Sequence, residues 1–233
     1  MLYDFLREQI QTQFTVVRVL KEGQLGRVSL VRHRKTGDLL VLRTFSGDAK
    51  IYKKLLTVEC VNLPRIKEAA EKDGQVLVLE EFVQGDTLSD LLMGGTLTPK
   101  EVEPIARQLC RGLWVLHTMG IVHRDVKPAN VILRGGEAVL IDFNAARSYD
   151  PVHRKDTQVL GTVGYAAPEQ FGLSQTDERT DIYAMGVTMN VMLTGAHPSV
   201  KLAAGRMGRV IQKCIMVNPQ KRYPNTLSLM EAL

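Results

Sequence analysis

Three oxygen-bearing side chains near the middle of the chain, Asp125, Asn130 and Asp142, stand at spacings that could gather a divalent cation. Asp125 and Asn130 belong to His123-Arg124-Asp125-Val126-Lys127-Pro128-Ala129-Asn130, just ahead of an apolar run, Val131-Ile132-Leu133. A turn at Arg134-Gly135-Gly136 leads to a second run, Ala138-Val139-Leu140-Ile141, which ends in Asp142-Phe143-Asn144. Two such runs about a glycine turn predict a hairpin, which returns the chain to the end it started from. The three side chains then converge at one rim. A few carboxylate and amide oxygens, completed by water and phosphate, are what Mg²⁺ prefers.

The elements that must carry this rim are legible on both sides of it. Thr98-Pro99 has the form of a helix N-cap followed by a first helical residue. After it, Val102, Ile105, Ala106, Leu109, Leu113 and Leu116 recur at a helical period and predict a core stripe ending near Met119-Gly120. Trp114 and His117 on the same run are read as packing residues. Nearer the N-terminus, Leu2, Phe5, Leu6 and Ile10 predict a short helix over residues 2–13. The period then changes. Phe14 to Leu20, Arg27 to Arg32 and Leu39 to Thr44 are short runs rich in β-branched residues, separated by turn signals. A further pair of strands, Arg65 to Ala70 and Gln75 to Leu79, should turn at Lys72-Asp73-Gly74.

Composition narrows the class. With 233 residues, 45% of them hydrophobic and 24% charged, the chain reads as an ordinary globular protein with room for a sizeable core. The net charge of +5 is spread along the chain, which favours a solvated surface over a nucleic-acid patch. Three cysteines, Cys60, Cys110 and Cys214, show no metal-ligand spacing, and an odd count of distant thiols points to a reducing, cytoplasmic setting. No apolar run reaches membrane-spanning length, so no membrane partner is expected for this chain, and Met1 to Glu8 does not read as a signal peptide.

His123-Arg124-Asp125-x-Lys127-Pro128-x-Asn130, then Asp142-Phe143-x, then Gly161-Thr162-x-x-Tyr165-x-Ala167-Pro168-Glu169, together resemble the protein kinase catalytic domain. The Lys127-Pro128 pair and the Gly-Thr-x-x-Tyr segment resemble its serine/threonine branch, of bacterial type. The resemblance implies an α+β, bilobal protein-kinase-like fold, with a small antiparallel β-rich N-lobe and a larger, mainly helical C-lobe. The expected layout over residues 1–233 is an N-terminal helix at 1–13, the N-lobe at 14–82 and the C-lobe at 83–233. ATP and Mg²⁺ are the implied cofactors and a protein is the implied substrate.

Roles carry over residue by residue. Asp125 would orient the substrate hydroxyl and accept its proton, Lys127 would reach the γ-phosphate, and Asn130 and Asp142 would hold the metal. Leu20-Lys21-Glu22-Gly23-Gln24-Leu25-Gly26-Arg27-Val28 resembles the glycine-rich loop, with Gly23 and Gly26 approaching phosphate and Leu20 and Val28 flanking adenine. Glu80 to Gly85 resembles the hinge whose backbone pairs with adenine, with Glu81 and Val83 as the contacts. Thr157 is the expected regulatory phosphorylation site, and Thr162 a second candidate reserved for contact with Asp125 and Lys127. Arg124 is the residue expected to meet a phosphate on the activation segment. Glu169 should pair with Arg222, and Asp181 should brace the backbone of the catalytic loop.

Three departures stand out. Leu40-Val41-Leu42-Arg43 places arginine where the family has its phosphate-gripping lysine, and the two cations are not equivalent at a phosphate. The helical stretch after it, Ala49 to Leu56, has no acidic residue to hold that cation, which leaves Asp48, Glu59, Asp142 or nothing as the holder of Arg43. Asn144 replaces the glycine of Asp-Phe-Gly, where its tolerance of left-handed backbone would preserve the turn. Beyond these, Ala196 to Leu202 is short where the family inserts more chain. A serine/threonine protein kinase is the leading expectation. A pseudokinase that binds nucleotide or partners without useful transfer is the rival, and a small-molecule kinase of the same fold is a third reading.

Overall fold

The structure is a computed structural model that describes residues 2–23, 26–148, 162–171 and 176–233. Two compact units divide the chain: Met1–Cys60 with Pro64–Val83, and Val61–Leu63 with Gln84–Leu233.

In the first unit, helix α1 (Leu2–Gln13) precedes five antiparallel strands in the order β1-β2-β3-β5-β4. These are β1 (Phe14–Gly23), β2 (Gly26–His33), β3 (Leu39–Ser46), β4 (Ile66–Lys72) and β5 (Gln75–Glu81). Leu6 and Ile10, one helical turn apart, bury against Ala70 and Leu77, with Tyr3, Phe14 and Leu42 around them. Leu2 and Phe5, the other two apolar positions of the expected stripe, are exposed. The β4–β5 hairpin closes where Asp73 and Gly74 both take positive φ, the geometry that an Asp-Gly pair supplies to a two-residue turn. Helix α2 (Lys50–Leu55) is short, and Glu71 of β4 tethers it by accepting from the Ala49 N–H (3.0 Å).

In the second unit, α3 (Leu88–Met93) follows β6 (Asp86–Thr87), and α4 (Pro99–Thr118) opens on a capping box in which Thr98 and Glu101 satisfy each other's backbone N–H. Its stripe is buried at Val102, Ala106, Leu109, Leu113 and Leu116, as the period predicts. A pair of short strands, β7 (Ile121–Val122) and β10 (Arg147–Ser148), flanks the hairpin of β8 (Val131–Arg134) and β9 (Glu137–Leu140). Helix α5 (Glu178–Thr194) is buried on nearly all sides, at polar Thr180, Asp181, Thr188 and Asn190 as well as at its apolar residues. Helices α6 (Gly205–Cys214) and α7 (Thr226–Ala232) pack around α5 and α4. Asn190 explains how the short 196–203 connection is held. Its amide nitrogen donates to the carbonyls of Ala196 and Lys201 (both 2.8 Å), and its oxygen accepts from the Ala203 N–H (2.9 Å). All three cysteines are free thiols. Among the described residues, no helix is long and apolar enough to cross a membrane.

Candidate active site

The β8–β9 hairpin forms where the two apolar runs require it, with Val131 opposite Leu140 and Arg134 opposite Glu137. The Ile141 N–H donates to Asn130 O (2.8 Å), extending the pairing by one step to the rim where Asn130 and Asp142 begin. Pairing of β7 with β10 sets the start of the loop, at Val122, beside the chain that leaves Asp142, at Arg147. Asp125, Asn130 and Asp142 are thus carried by one compact unit, by backbone pairing on two sides.

The loop itself is held from below by a buried carboxylate. Asp181, on α5, accepts the backbone N–H of Arg124 (2.7 Å) on one oxygen and that of His123 (2.9 Å) on the other. His117 Nε2, on α4, reaches the second oxygen at 2.8 Å. Burial pushes the Asp181 carboxyl up, but the bond and charge of His117 with the His123 contacts outweigh it and keep the group below the usual carboxylate range. Arg124 takes φ 67°, a left-handed conformation that costs a side-chain-bearing residue and persists only where its surroundings fix it. They do so on both sides of the residue: Asp181 takes its N–H, and Gln170 Nε2 donates to its carbonyl (2.9 Å).

Asp125 follows. Its Oδ1 accepts from the Thr162 hydroxyl (2.6 Å), and its Oδ2 accepts from Lys127 Nζ (2.7 Å) and Asn130 Nδ2 (2.8 Å). Lys127 Nζ also donates to Thr162 Oγ1, closing a ring of acid, ammonium and hydroxyl. Burial raises the Asp125 carboxyl, yet the bonds from Lys127 and Thr162, the Lys127 charge and the Asn130 bond together hold it below its ordinary value. It is therefore an anion at neutral pH, already accepting a hydrogen bond from an aliphatic hydroxyl.

Asn130 spends its amide nitrogen on Asp125, on both the carboxylate and the backbone oxygen (2.9 Å), which leaves the amide oxygen as its cation-binding atom. Asp142 takes φ 70°, so the left-handed residue of this turn is Asp142 and not Asn144. Asn144 instead donates its N–H back toward Asp142 Oδ1 at 3.4 Å, and glycine is not needed at that position. An amide oxygen and a carboxylate are hard donors and fit a Mg²⁺ ion completed by water and phosphate.

Below this site, Glu169 and Arg222 form a buried two-point ion pair (2.6 and 2.9 Å). Thr180 donates to the same glutamate, and the remaining guanidinium hydrogens go to the carbonyls of Arg179, Met216 and Val217. A pair so fully satisfied offsets the cost of burying its charges. Thr157 lies outside the described residues.

The first unit holds the rest. Arg43 is buried, with 6% of its surface exposed, and its Nε donates to Oε1 of Glu80 at 2.7 Å. Glu80 was not among the holders expected from the sequence, and two of those, Asp48 and Glu59, have other partners. Asp48 instead accepts from the Lys50 N–H (3.0 Å), and Glu59 pairs with Arg65 at the surface (3.0 Å). The reason is register. Val78 lies opposite Arg43 on β5, so Glu80, two residues on, shares the face of Arg43 as its diagonal neighbour. Glu80 was the residue that the sequence reading passed over. Its signal was a carboxylate closing the buried run Val76-Leu77-Val78-Leu79, where a charge needs a partner.

Around it, Leu20 is partly exposed on β1, and Val28 sits on β2 opposite Lys21. Gly26 is demanded by packing, since a Cβ there would collide with the Thr44 carbonyl and with Phe45, whereas one at Gly23 would meet open space. The Glu81 side chain is a strut: its carboxylate accepts from the Arg65 N–H (3.0 Å), and its own N–H donates to the Arg65 carbonyl (2.8 Å). Val83 closes the unit and is buried.

Comparison with known proteins agrees with this arrangement. The family model described as "Protein kinase domain" matches residues 14–231, nearly the whole chain. Among curated relatives, the serine/threonine-protein kinase pkn2 of Myxococcus xanthus is 33% identical over 205 residues, covering 80% of this chain and 25% of the relative. Serine/threonine-protein kinase PknD of Mycobacterium tuberculosis is 31% identical over 207 residues, covering 82% and 31%. Serine/threonine-protein kinase A of Synechocystis is 28% identical over 220 residues, covering 82% and 42%. The chain thus spans between a quarter and about two fifths of the length of these relatives. With the loop, hairpin and buried ion pair all in the family's order, the chain belongs to the protein kinase domain family.

Proposed function

We propose that this domain is a serine/threonine protein kinase that transfers the γ-phosphoryl group of Mg-ATP to a protein hydroxyl. The single observation that carries the proposal is the Asp125 ring: an ionised carboxylate accepts a hydrogen bond from an aliphatic hydroxyl while an ammonium donates to both side chains. A substrate serine or threonine presents the same chemical group to that carboxylate.

Phosphoryl transfer asks a protein mainly to position reactants and to offset charge as it develops. Asp125 orients the attacking hydroxyl and takes its proton as the oxygen bonds to phosphorus and the ADP oxygen departs. Lys127 screens the γ-phosphoryl oxygens from Asp125. Asn130 and Asp142 hold Mg²⁺, which when bound neutralises charge on the phosphate oxygens. Arg43 provides the cation for the inner phosphates. Leu20 and Val28 flank the adenine, and the backbone at Glu81 and Val83 meets its edge. The glycine-rich turn at Gly23 and Gly26 lets the backbone approach phosphate. Thr157 remains the proposed regulatory phosphorylation site, with Arg124 as its partner. A cytoplasmic setting is supported by the free thiols.

The rival reading, binding without transfer, rested on Arg43 and on a missing carboxylate for it. Glu80 supplies a carboxylate, which favours the enzyme reading. The test is incubation with γ-labelled ATP, Mg²⁺ and a generic protein substrate, followed by phosphoamino-acid analysis. Label on serine or threonine is expected. No label on any protein, with a folded chain and bound nucleotide, would overturn the proposal.

A further inference from the structure

We propose that Glu80 is the positioning residue for Arg43, so that the pairing of β3 with β5, and not helix α2, aims the phosphate-binding cation of this domain. The inference rests on the reading of Arg43 as that cation. It goes further in assigning the carboxylate that orients it and the element that carries that carboxylate.

Three observations converge. The first is geometry: Arg43 Nε to Glu80 Oε1 is 2.7 Å, between side chains that are 7% and 4% exposed. A charge-assisted bond of that length, shielded from water, is among the stronger ones available to a side chain. The second is the atom used. Bonding through Nε, the nitrogen nearest the backbone, fixes the plane of the guanidinium, and a planar fork so fixed suits phosphate oxygens. Lysine offers three donors on one nitrogen but no Nε–H and no fixed plane. The bond that Glu80 makes here is thus particular to arginine, and arginine at 43 and glutamate at 80 make sense as a pair.

The third observation is the helix. Lys50–Leu55 is Lys-Ile-Tyr-Lys-Lys-Leu, without an acidic residue, and α2 is tied to the sheet by Glu71 through the Ala49 N–H and Lys53. No carboxylate on α2 can reach for Arg43. The Arg43–Glu80 pair is instead set by the ladder in which Val41 opposes Glu80 and Arg43 opposes Val78. A one-residue slip of that register would flip every side chain of the strand to the other face. The aim of the cation is therefore built in with the fold, and it does not wait for a helix to swing into place.

The test compares Glu80→Gln in two backgrounds, the natural Arg43 and Arg43→Lys, in the whole chain. Mg-ATP affinity is read by direct titration and transfer by initial rates, with thermal melts to confirm folding. With Arg43 in place, Glu80→Gln should raise the KM for ATP roughly tenfold or more, since small misplacements of a reacting group are costly. The melt should stay cooperative. In the Arg43→Lys background the penalty should largely vanish, since the Nε bond that Glu80 makes is already gone, so Arg43→Lys/Glu80→Gln should bind ATP about as tightly as Arg43→Lys alone.

A merely structural Glu80 would make Glu80→Gln equally harmful in both backgrounds, and that outcome overturns the inference. So does an unchanged KM in the natural background. Failure of the kinase reading looks different: a natural chain that binds Mg-ATP but transfers nothing, while the effect of Glu80→Gln on affinity still depends on Arg43, sinks the proposed reaction and upholds Glu80.

Discussion

The two units support their charged groups by different elements. In the second, loop and helices converge on the acids: Asp125 is held by Lys127, Thr162 and Asn130, and Asp181 by two backbone amides and His117. In the first, a buried cation meets a carboxylate carried on the neighbouring strand. Asp125, Lys127, Asn130 and Asp142 match the family's motif, and changing Asp125 would strand several groups at once. Arg43 departs from it, and its carboxylate comes from the opposite strand, so the two can be exchanged together. A change at the many-partnered acid therefore costs more than a matched change across the strands.

The largest effect expected from breaking this contrast is at Asp125. Asp125→Asn removes the proton acceptor but keeps the shape, so transfer should fall by at least ~10²-fold while Mg-ATP affinity stays nearly constant. A fall in affinity with residual transfer would contradict the role given to Asp125. Next comes Arg222→Leu, which leaves Glu169 buried without its cation. Breaking such a pair costs about 3–5 kcal/mol, read as a lowered melting temperature, and a shift no larger than that of a surface substitution would show that the pair is dispensable.

Two smaller effects concern protons. Thr162→Val removes a bond that lowers the Asp125 pKa, so the acid limb of the rate profile should move to higher pH. An unmoved limb would mean that Thr162 does not tune the acid. His123 is fully buried, and burial holds its imidazole below the ordinary value of 6.5 despite opposing pulls from Asp181, Asp125 and Asp142. As pH falls through 6.5, the unfolded chain takes up a proton that the fold resists. Stability should therefore decline from there down to the folded-state pKa and be flat above 6.5, as melts across pH would report. The smallest effect belongs to the surface pair of Asp4 and Lys72, which is half-exposed at both ends. Asp4→Ala should leave the melting temperature within error.

Local patterns made much of this legible. The α1 boundaries, the Asp73-Gly74 turn, the Thr98 cap and the β8–β9 hairpin all follow from signals within a few residues of each other. The motif around Asp125 is likewise local. What escaped the sequence was pairing between distant strands. That Glu80 faces Arg43 depends on β5 lying beside β3, with β4 on its far side, which no spacing reveals. Backbone conformation was the second blind spot. Asparagine at 144 suggested the left-handed position by its residue type, whereas the chain places it at Asp142 and Arg124, where hydrogen bonding and not intrinsic preference prevails.

The left-handed peptide at Arg124 has a consequence for how the domain could be governed. Its amide hangs from helix α5 and its carbonyl from Gln170, while the next residue, Asp125, is gripped by Thr162. Both of the latter come from the single stretch 162–171. Any event that displaces that stretch tugs on the acid's side chain and on the main chain behind it at once, so the acid's alignment is hitched to that stretch at two points.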